Sequence, residues 1–372
     1  MRPVTEPAAA GGGPGAPEAP AHPDVQEAQE VQEVQEVQEV PTIKEVAARA
    51  GVSPSTVSNV FLGRVPVKEG TKRRVLLAAR RLGYQPDGRA QALRTGRTRT
   101  LGLCVPFITN PTVAAIVNGA TRAAQEAGYA VTVCTIENEP GLQATYLDLL
   151  RRERVAAVVS QPAGRDPEPY ATLQRAGAAL VFVDRRLPEL VADFLTPDYR
   201  GAVRQAVAHL LATGRRRVAL VTGPRWIDST RERIAGYQAA HHAAGVTVDE
   251  SLLLATDGRA RRDPREAIDE VLGHAPAPDA LVAGSADVTL TALARLKARG
   301  HSVPGDVALV GTGQLEWAPL ADPPLSMIEV DGEALGREAV CLALSRLAAP
   351  DTAPRAITLP ARLVLRTSSE RA

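Results

Sequence analysis

An all-α helix-turn-helix head joined to an α/β region of parallel sheets covered by helices is the fold class this sequence predicts. Three observations carry that prediction. Residues 42–63, TIKEVAARAGVSPSTVSNVFLG, read as two short helices across a tight turn. Their surroundings are strongly basic: from 41 to 100, thirteen Lys and Arg stand against three carboxylates, a net of +10 that the near-neutral total of +1 conceals. From Thr100 onward short apolar runs alternate with Ala-rich helical stretches, the rhythm of parallel strands and their crossover helices.

Residues 1–40 fit no domain. An Ala/Gly/Pro run passes into a Val-Gln-Glu triplet repeat from Val25 to Val40, with a net charge of −7. A three-residue repeat makes valine drift around a helix instead of forming one stripe, so a disordered tail is expected. It either competes for the basic surface or is simply solvated. It lacks the continuous apolar stretch of a signal peptide, and no later run is long enough to span a membrane.

In the first helix Ile43, Val46, Ala47 and Ala50 fall at i, i+3, i+4 and i+7, one apolar stripe. Gly51 can end that helix, and Ser53 with Pro54 supplies an N-cap and a first-turn proline for the next. In the second helix Val57, Val60 and Phe61 point back toward the first, which leaves Pro54, Ser55, Thr56, Ser58 and Asn59 outside. Asn can bond adenine bidentately, and small hydroxyls suit base edges and phosphates. An ordinary solvated helix face would look similar, but the basic surroundings are the footprint of phosphate binding, with affinity that falls steeply with salt. A third helix is expected from about Thr71 to Leu82, with Val75, Leu76, Ala79 and Leu82 facing in.

The stretch TIKEVAARAGVSPSTVSNV, with Leu82-Gly83-Tyr84-Gln85-Pro86 and then Ala90, Leu93, Arg94 and Thr95-Gly96-Arg97-Thr98, closely resembles the head of the lactose-repressor (LacI) family of bacterial transcription regulators. The likeness continues more loosely to about residue 366. It implies a DNA-binding head over 41–86, a hinge helix and linker over 87–99, and a two-lobe effector-binding and dimerisation domain of the periplasmic-binding-protein type I kind over 100–372. Implied DNA contacts are Thr42, Ser53, Pro54, Ser55, Thr56, Ser58, Asn59, Arg73, Tyr84, Arg89, Ala90 and Leu93. The hinge helix, with Asp87 as N-cap, is far shorter than the ~12 to 15 residues an isolated helix needs, so it should form only when two copies meet on DNA. Leu93 matches a leucine that wedges into the minor groove, the alternative being a linker residue packed on the next domain. Relatives usually begin the third helix with a Ser-Pro-Glu cap where this chain has Lys68-Glu69-Gly70. Losing such a cap typically costs ~1 kcal/mol.

By the same resemblance the first lobe is about 100–196 plus 327–355, and the second about 197–326 plus the C-terminal strand, with ligand between them at strand ends. Arg233, in Ser229-Thr230-Arg231-Glu232-Arg233, matches the arginine that usually holds the effector. Asp198 is a further candidate or merely a helix cap. Arg185 either faces ligand or pairs with a carboxylate, and Trp226 either stacks on a ligand ring or fills the lobe interface. Phe107 and Gln314 stand where relatives commonly carry carboxylates; where an Asn-Asp or Ser-Asp pair is usual this chain has Ser285-Ala286, with Asp287 one place late. With three sugar-binding carboxylates absent or displaced, an ordinary monosaccharide should bind poorly. The effector is then less polar or anionic, or the pocket has lost inducibility.

Cys104, Cys134 and Cys341 are scattered among apolar residues, as buried thiols in a reduced cytoplasm would be. The six histidines have no metal spacing, with His241-His242 expected on a helix surface, and no nucleophile motif or phosphate loop occurs. The sequence therefore reads as a non-enzymatic, cytoplasmic, homodimeric regulator, a repressor by expectation, with no cofactor or metal. Its expected partners are near-palindromic operator DNA and a small-molecule effector. A transport binding protein would share the two lobes but not the basic head.

Overall fold

The computed structural model describes residues 41–62, 65–84, 98–255 and 263–370. The acidic tail, the hinge helix, and with it Arg89, Ala90 and Leu93, lie outside the described residues. The chain divides into two compact units, residues 1–86 and 87–372.

In the first unit, α1 (Ile43–Ala50), α2 (Pro54–Leu62) and α3 (Glu69–Leu82) surround a small core of Val46, Ala47, Ala50, Val57, Val75, Ala78 and Ala79. Thr42 closes α1 reciprocally: its Oγ1 accepts from the Glu45 N–H at 3.4 Å, and Glu45 Oε2 accepts from the Thr42 N–H at 2.7 Å. Gly51 ends α1 at φ 62°, a left-handed conformation that suits glycine. Ser53 then caps α2, its Oγ accepting from the Thr56 N–H at 3.2 Å. The third helix begins two residues earlier than expected, and its inward stripe is Val75, Ala78, Ala79 and Leu82. Leu76 is 44% exposed, a correction to the expected stripe. It follows Val75 by one residue, which turns it about 100° away from the core. Lys68 at the N-cap of α3 makes no side-chain cap bond. Lys68→Ser is therefore expected to stabilise the head by about 1 kcal/mol. Thermal unfolding of the full chain reads this directly, and an unmoved or lowered head transition would count against it.

The second unit holds two six-stranded sheets. The first contains β1 (Thr100–Val105), β2 (Ala130–Thr135), β3 (Ala157–Ser160), β4 (Ala179–Val183), β5 (Asp193–Pro197) and β11 (Ala356–Leu359), ordered β11-β5-β4-β3-β1-β2 and parallel throughout. The second contains β6 (Val218–Thr222), β7 (Leu253–Ala255), β8 (Ala280–Ala283), β9 (Ala308–Thr312), β10 (Ser326–Val330) and β12 (Ala361–Val364), ordered β12-β10-β9-β8-β6-β7. Only β12 runs antiparallel, against β10. Every residue of β3, β4 and β8 is buried, which explains their continuous apolar sequences. Helices cover both faces: α4 (Pro111–Glu126), α5 (Pro140–Arg152) and α6 (Glu168–Arg175) on the first sheet, and α7 (Tyr199–Ala212), α8 (Asp228–Ala243), α9 (Pro264–Leu272) and α10 (Ala286–Ala298) on the second.

The chain passes between lobes three times: after β5, after β10 and between β11 and β12. The lobe boundary differs from the expected one near the C-terminus. Residues 326–330 form a strand of the second sheet, and the first lobe instead takes back α11 (Gly332–Ala348) and β11. Two glycines let α11 lie directly on α4. A Cβ at Gly336 would stand 2.0 Å from the Ile116 carbonyl oxygen, and one at Gly119 would stand 2.1 Å from that of Glu333.

One charge in the first lobe is wholly enclosed. Asp193, 0% exposed at the head of β5, accepts from Arg346 Nη2 at 2.9 Å, from Arg346 Nε at 3.2 Å and from the Arg355 N–H at 2.7 Å. Cys104 and Cys134 are buried partners across β1 and β2, whereas Cys341 is exposed, against expectation. His241 is likewise buried, not on the surface: it follows Tyr237 by one helical turn on the inward face of α8, where its Nδ1 bonds the Tyr237 carbonyl at 2.9 Å. Among the described residues no helix is long and apolar enough to cross a membrane.

Candidate functional site

Two sites emerge, one in each unit. In the head, Ser55, Ser58 and Asn59 share one face of α2 at i, i+3 and i+4, opposite the buried Val57. Pro54 and Ser55 are exposed, and Thr56, Ser58 and Asn59 are half-buried. Ser53 Oγ gathers the hydroxyls of Ser55 at 2.7 Å and Thr56 at 2.9 Å into one small polar cluster at the start of the helix. Arg73 is exposed on α3 beside Lys72 and Arg74. Thr42 serves in the α1 cap, and the Tyr84 ring packs on Phe61, centroids 5.9 Å apart, as part of the head core. The arrangement is a short helix carrying small hydrogen-bonding groups, flanked by cations. Such a surface fits a major groove with phosphates on either side.

In the second unit a cavity of about 280 Å³ opens between the lobes, where the carboxyl ends of strands from both sheets converge. Phe107 follows β1, Gln161 follows β3 and Arg185 follows β4, while Thr222 ends β6, Ser285 follows β8 and Thr312 ends β9; all six line the cavity. Arg233 reaches it from α8. Of the residues expected from sequence, Phe107, Arg185, Arg233 and Ser285 thus meet at one cavity, and Asp198, Trp226 and Gln314 do not. Asp198 is the N-cap of α7, its Oδ1 accepting from the Gly201 N–H at 2.8 Å. Gln314 is exposed, and its backbone N–H donates to Thr112 Oγ1 across the lobes at 3.3 Å. Trp226 lines a separate cleft of about 150 Å³ with Arg165, Arg186 and Arg231, and its ring lies 5.9 Å from the Arg185 guanidinium carbon.

The two guanidiniums are held differently. Arg233, 8% exposed, donates from Nη1 to Ser229 Oγ at 3.1 Å, and its guanidinium carbon sits 3.7 Å from the Tyr199 ring centroid. Arg185 Nη1 donates to Asn138 Oδ1 at 2.7 Å and to the Pro162 carbonyl at 3.0 Å, and burial pulls its pKa down to about 10. Between them Asp184 adopts φ 61°, a left-handed conformation that non-glycine residues seldom take outside functional sites. Its Oδ2 accepts from Gln161 Nε2 at 3.2 Å. Burial pushes the Asp184 carboxyl up, against the pull of Arg233 and Arg185.

Outside the cavity the lobes are latched. Asp228 of α8 accepts from the Arg186 backbone N–H and from Arg186 Nε, both at 3.0 Å, and the Ser229 N–H donates to the Asp184 carbonyl at 3.2 Å.

Sequence reading missed Asp184, Gln161, Asn138, Thr222 and Thr312 as cavity residues. Asp184, Gln161, Thr222 and Thr312 fall at or just beyond the end of an apolar run, the usual ligand position in parallel sheets, so their spacing carried a usable signal. Asp287, one place from its expected position, also lines the cavity.

A DNA-shaped helical head on a two-lobed ligand-binding body defines a class: regulators whose nucleic-acid binding answers to a small molecule. Residues 42–87 match the family described as bacterial regulatory proteins, lacI family, and residues 207–369 match the periplasmic binding protein-like domain. The HTH-type transcriptional regulator CelR of Thermobifida fusca is 34% identical over 336 residues, covering 88% of this chain and 98% of its own. A solved structure described as a transcriptional regulator CelR–cellobiose complex superposes with a TM-score of 0.67 at 33% identity, over 88% of this chain and 99% of that one. The lac repressor dimer bound to operator and the anti-inducer ONPF shares the fold, with a TM-score of 0.75 at 23% identity, over 89% of this chain and 100% of that one. The chain belongs to the LacI family of bacterial regulatory proteins and is a DNA-binding transcriptional regulator. The relatives named here are regulators, not enzymes.

Proposed function

We propose that this protein is a cytoplasmic, nucleoid-associated repressor that binds a near-palindromic operator as a homodimer, its affinity set by a small molecule held between the two lobes. The observation that carries this reading is the pairing of the polar α2 face, Ser55, Ser58 and Asn59, with a cavity between the lobes lined by unpaired polar groups in the same chain. In a dimer two α2 helices would enter successive major grooves, about one helical turn apart. Leu93 and the hinge helices would then hold the minor groove between them. The latch of Asp228 on Arg186 and the Gln314–Thr112 bond give the lobes a closed arrangement that a ligand can favour or disfavour. The shift in operator affinity is bounded by the ligand's differential affinity for the two arrangements. The relative whose structure carries cellobiose and the lac repressor solved with operator support both halves of this reading.

In vitro selection of bound genomic fragments, repeated at raised salt, tests it. An enriched near-palindrome is expected; salt-sensitive binding without any enriched sequence would overturn the operator assignment. In the same assay Asn59→Ala should relax discrimination at one position, whereas Arg73→Ala should weaken all sequences alike and flatten the salt dependence. An unchanged preference at every position for Asn59→Ala would remove that residue from the base-reading set.

A further inference from the structure

The sequence left two kinds of effector open, one less polar than a sugar and one anionic, and the cavity separates them. Five buried polar atoms on its wall have no hydrogen-bond partner: Gln161 Oε1, Asp184 Oδ1, Thr222 Oγ1, Thr312 Oγ1 and Arg233 Nε. Buried polar groups in folded proteins are almost always paired, so a wall with this many orphans is built for a ligand that supplies the missing partners. An apolar ligand would leave all five unpaired. Two acceptors, on Gln161 and Asp184, call for hydroxyl donors on the ligand; the threonine hydroxyls can serve either role.

The charges go further. Neither Arg185 nor Arg233 has a carboxylate within ion-pair distance among the described residues, although other arginines of this chain do, such as Arg186, Arg295 and Arg346. Two carboxylates line the same cavity. Asp184 already accepts from Gln161, and its one carboxylate stands against two guanidiniums on the same wall. Asp287 is exposed as a residue, though partial burial still pushes its carboxyl up. Both guanidiniums on the wall are thus left without an ion-pair partner among the described residues. A guanidinium with a free edge is suited to a carboxylate, which it can grip through two parallel N–H bonds. The volume of about 280 Å³ lies at the small end for ligand cavities, where a single sugar-sized molecule fits.

We propose that the ligand of this cavity is a polyhydroxylated carboxylate of monosaccharide size, a sugar acid, with its carboxylate on Arg185 and Arg233 and its hydroxyls on Gln161, Asp184, Thr222 and Thr312. This deepens the regulatory reading and rests on it only for the consequence of binding, not for binding itself. The test is titration calorimetry on the full-length protein with matched pairs: D-gluconate, D-galactonate, D-glucuronate and D-galacturonate, each beside its neutral parent sugar, with cellobiose added. At least one acid is expected to bind on the order of ten-fold or more tighter than its parent, a preference typical of one charge-assisted contact. Arg185→Gln should erase the preference, the acid then binding no tighter than its neutral parent.

A neutral sugar or cellobiose binding as tightly as its acid counterpart overturns the proposal, and so does a panel in which no acid binds. Because the wild-type comparison decides, a variant that misfolds does not shelter the proposal. Fluorescence anisotropy with the selected operator separates the two readings. An acid that binds without changing operator affinity leaves the ligand class standing and removes the regulatory link. Intact operator binding with no acid preference does the reverse.

Discussion

Replacing Asp193 by alanine is expected to lower the stability of the α/β unit by about 3 to 5 kcal/mol, the usual cost of removing one partner from a buried ion pair. The carboxylate is 0% exposed and is gripped by Arg346, itself only 6% exposed, and by the backbone of Arg355. Without it the Arg346 charge stays enclosed among the carbonyls of Pro350, Thr352 and Ala353, with no anion to answer it. The same pair ties α11 to β5 and sets the start of β11, so the loss should appear as a single shifted transition in urea unfolding. Removing both charges at once, Asp193→Leu with Arg346→Met, should recover much of the deficit, because two desolvated charges leave together. The Arg355 N–H would then lack its acceptor, and the Pro350, Thr352 and Ala353 carbonyls their Arg346 donors, so the recovery should be incomplete. A loss below about 1 kcal/mol for Asp193→Ala would mean that water reaches the pair and that it behaves as a surface bridge.

Arg233→Gln should cost ligand affinity on the order of 10- to 150-fold, the equivalent of about 1.5 to 3 kcal/mol for a charge-assisted hydrogen bond. The side chain sits on the Tyr199 ring and keeps its Nε unpaired at the cavity wall. Glutamine is too short to reach Ser229 as Nη1 does, and it brings no charge and no planar fork. Asp184 should also respond. Arg233 is the larger of the two arginine influences that oppose its burial, so the variant's Asp184 carboxyl is expected to move further up. Operator binding without ligand should be unchanged, which makes the variant a regulator that responds only at higher ligand concentration. Calorimetry with the sugar acid of highest affinity measures the first effect and operator anisotropy the second. Equal ligand affinity in variant and wild type would take Arg233 out of the binding set.

Much of this was legible before any coordinates. The α1 stripe and the Gly51 and Ser53 punctuation follow from local rules of helix periodicity and capping, which depend on neighbours within a turn. The missing cap at Lys68 is equally local, and so are the strands β3, β4 and β8, whose burial on both faces writes itself as an unbroken apolar run. Leu76 was misplaced because two adjacent apolar residues leave the helix phase ambiguous until the partner helices choose one. Asp193, Arg346 and Arg355 carry no local mark at all, since residues up to 162 positions apart become partners only when β5, α11 and β11 meet.

The cavity divides along the same line. Arg233 stood out because its segment, from Ser229 to Tyr237, resembles the family's effector-holding segment. Gln161, Asp184, Thr222 and Thr312 became site residues only through strand order, which brings the ends of β3, β4, β6 and β9 to one place. Whether residues 326–330 belonged to the first lobe or the second was likewise undecided by periodicity, because an apolar strand fits either sheet and only the order of pairing assigns it. Local propensity and patterning therefore determined the helices of the head and most of the strands, and resemblance to the family's head segment supplied the class of protein. The tertiary structure alone decided which polar atoms are left unpaired around the cavity, because that depends on long-range packing and on which charges are brought together without partners.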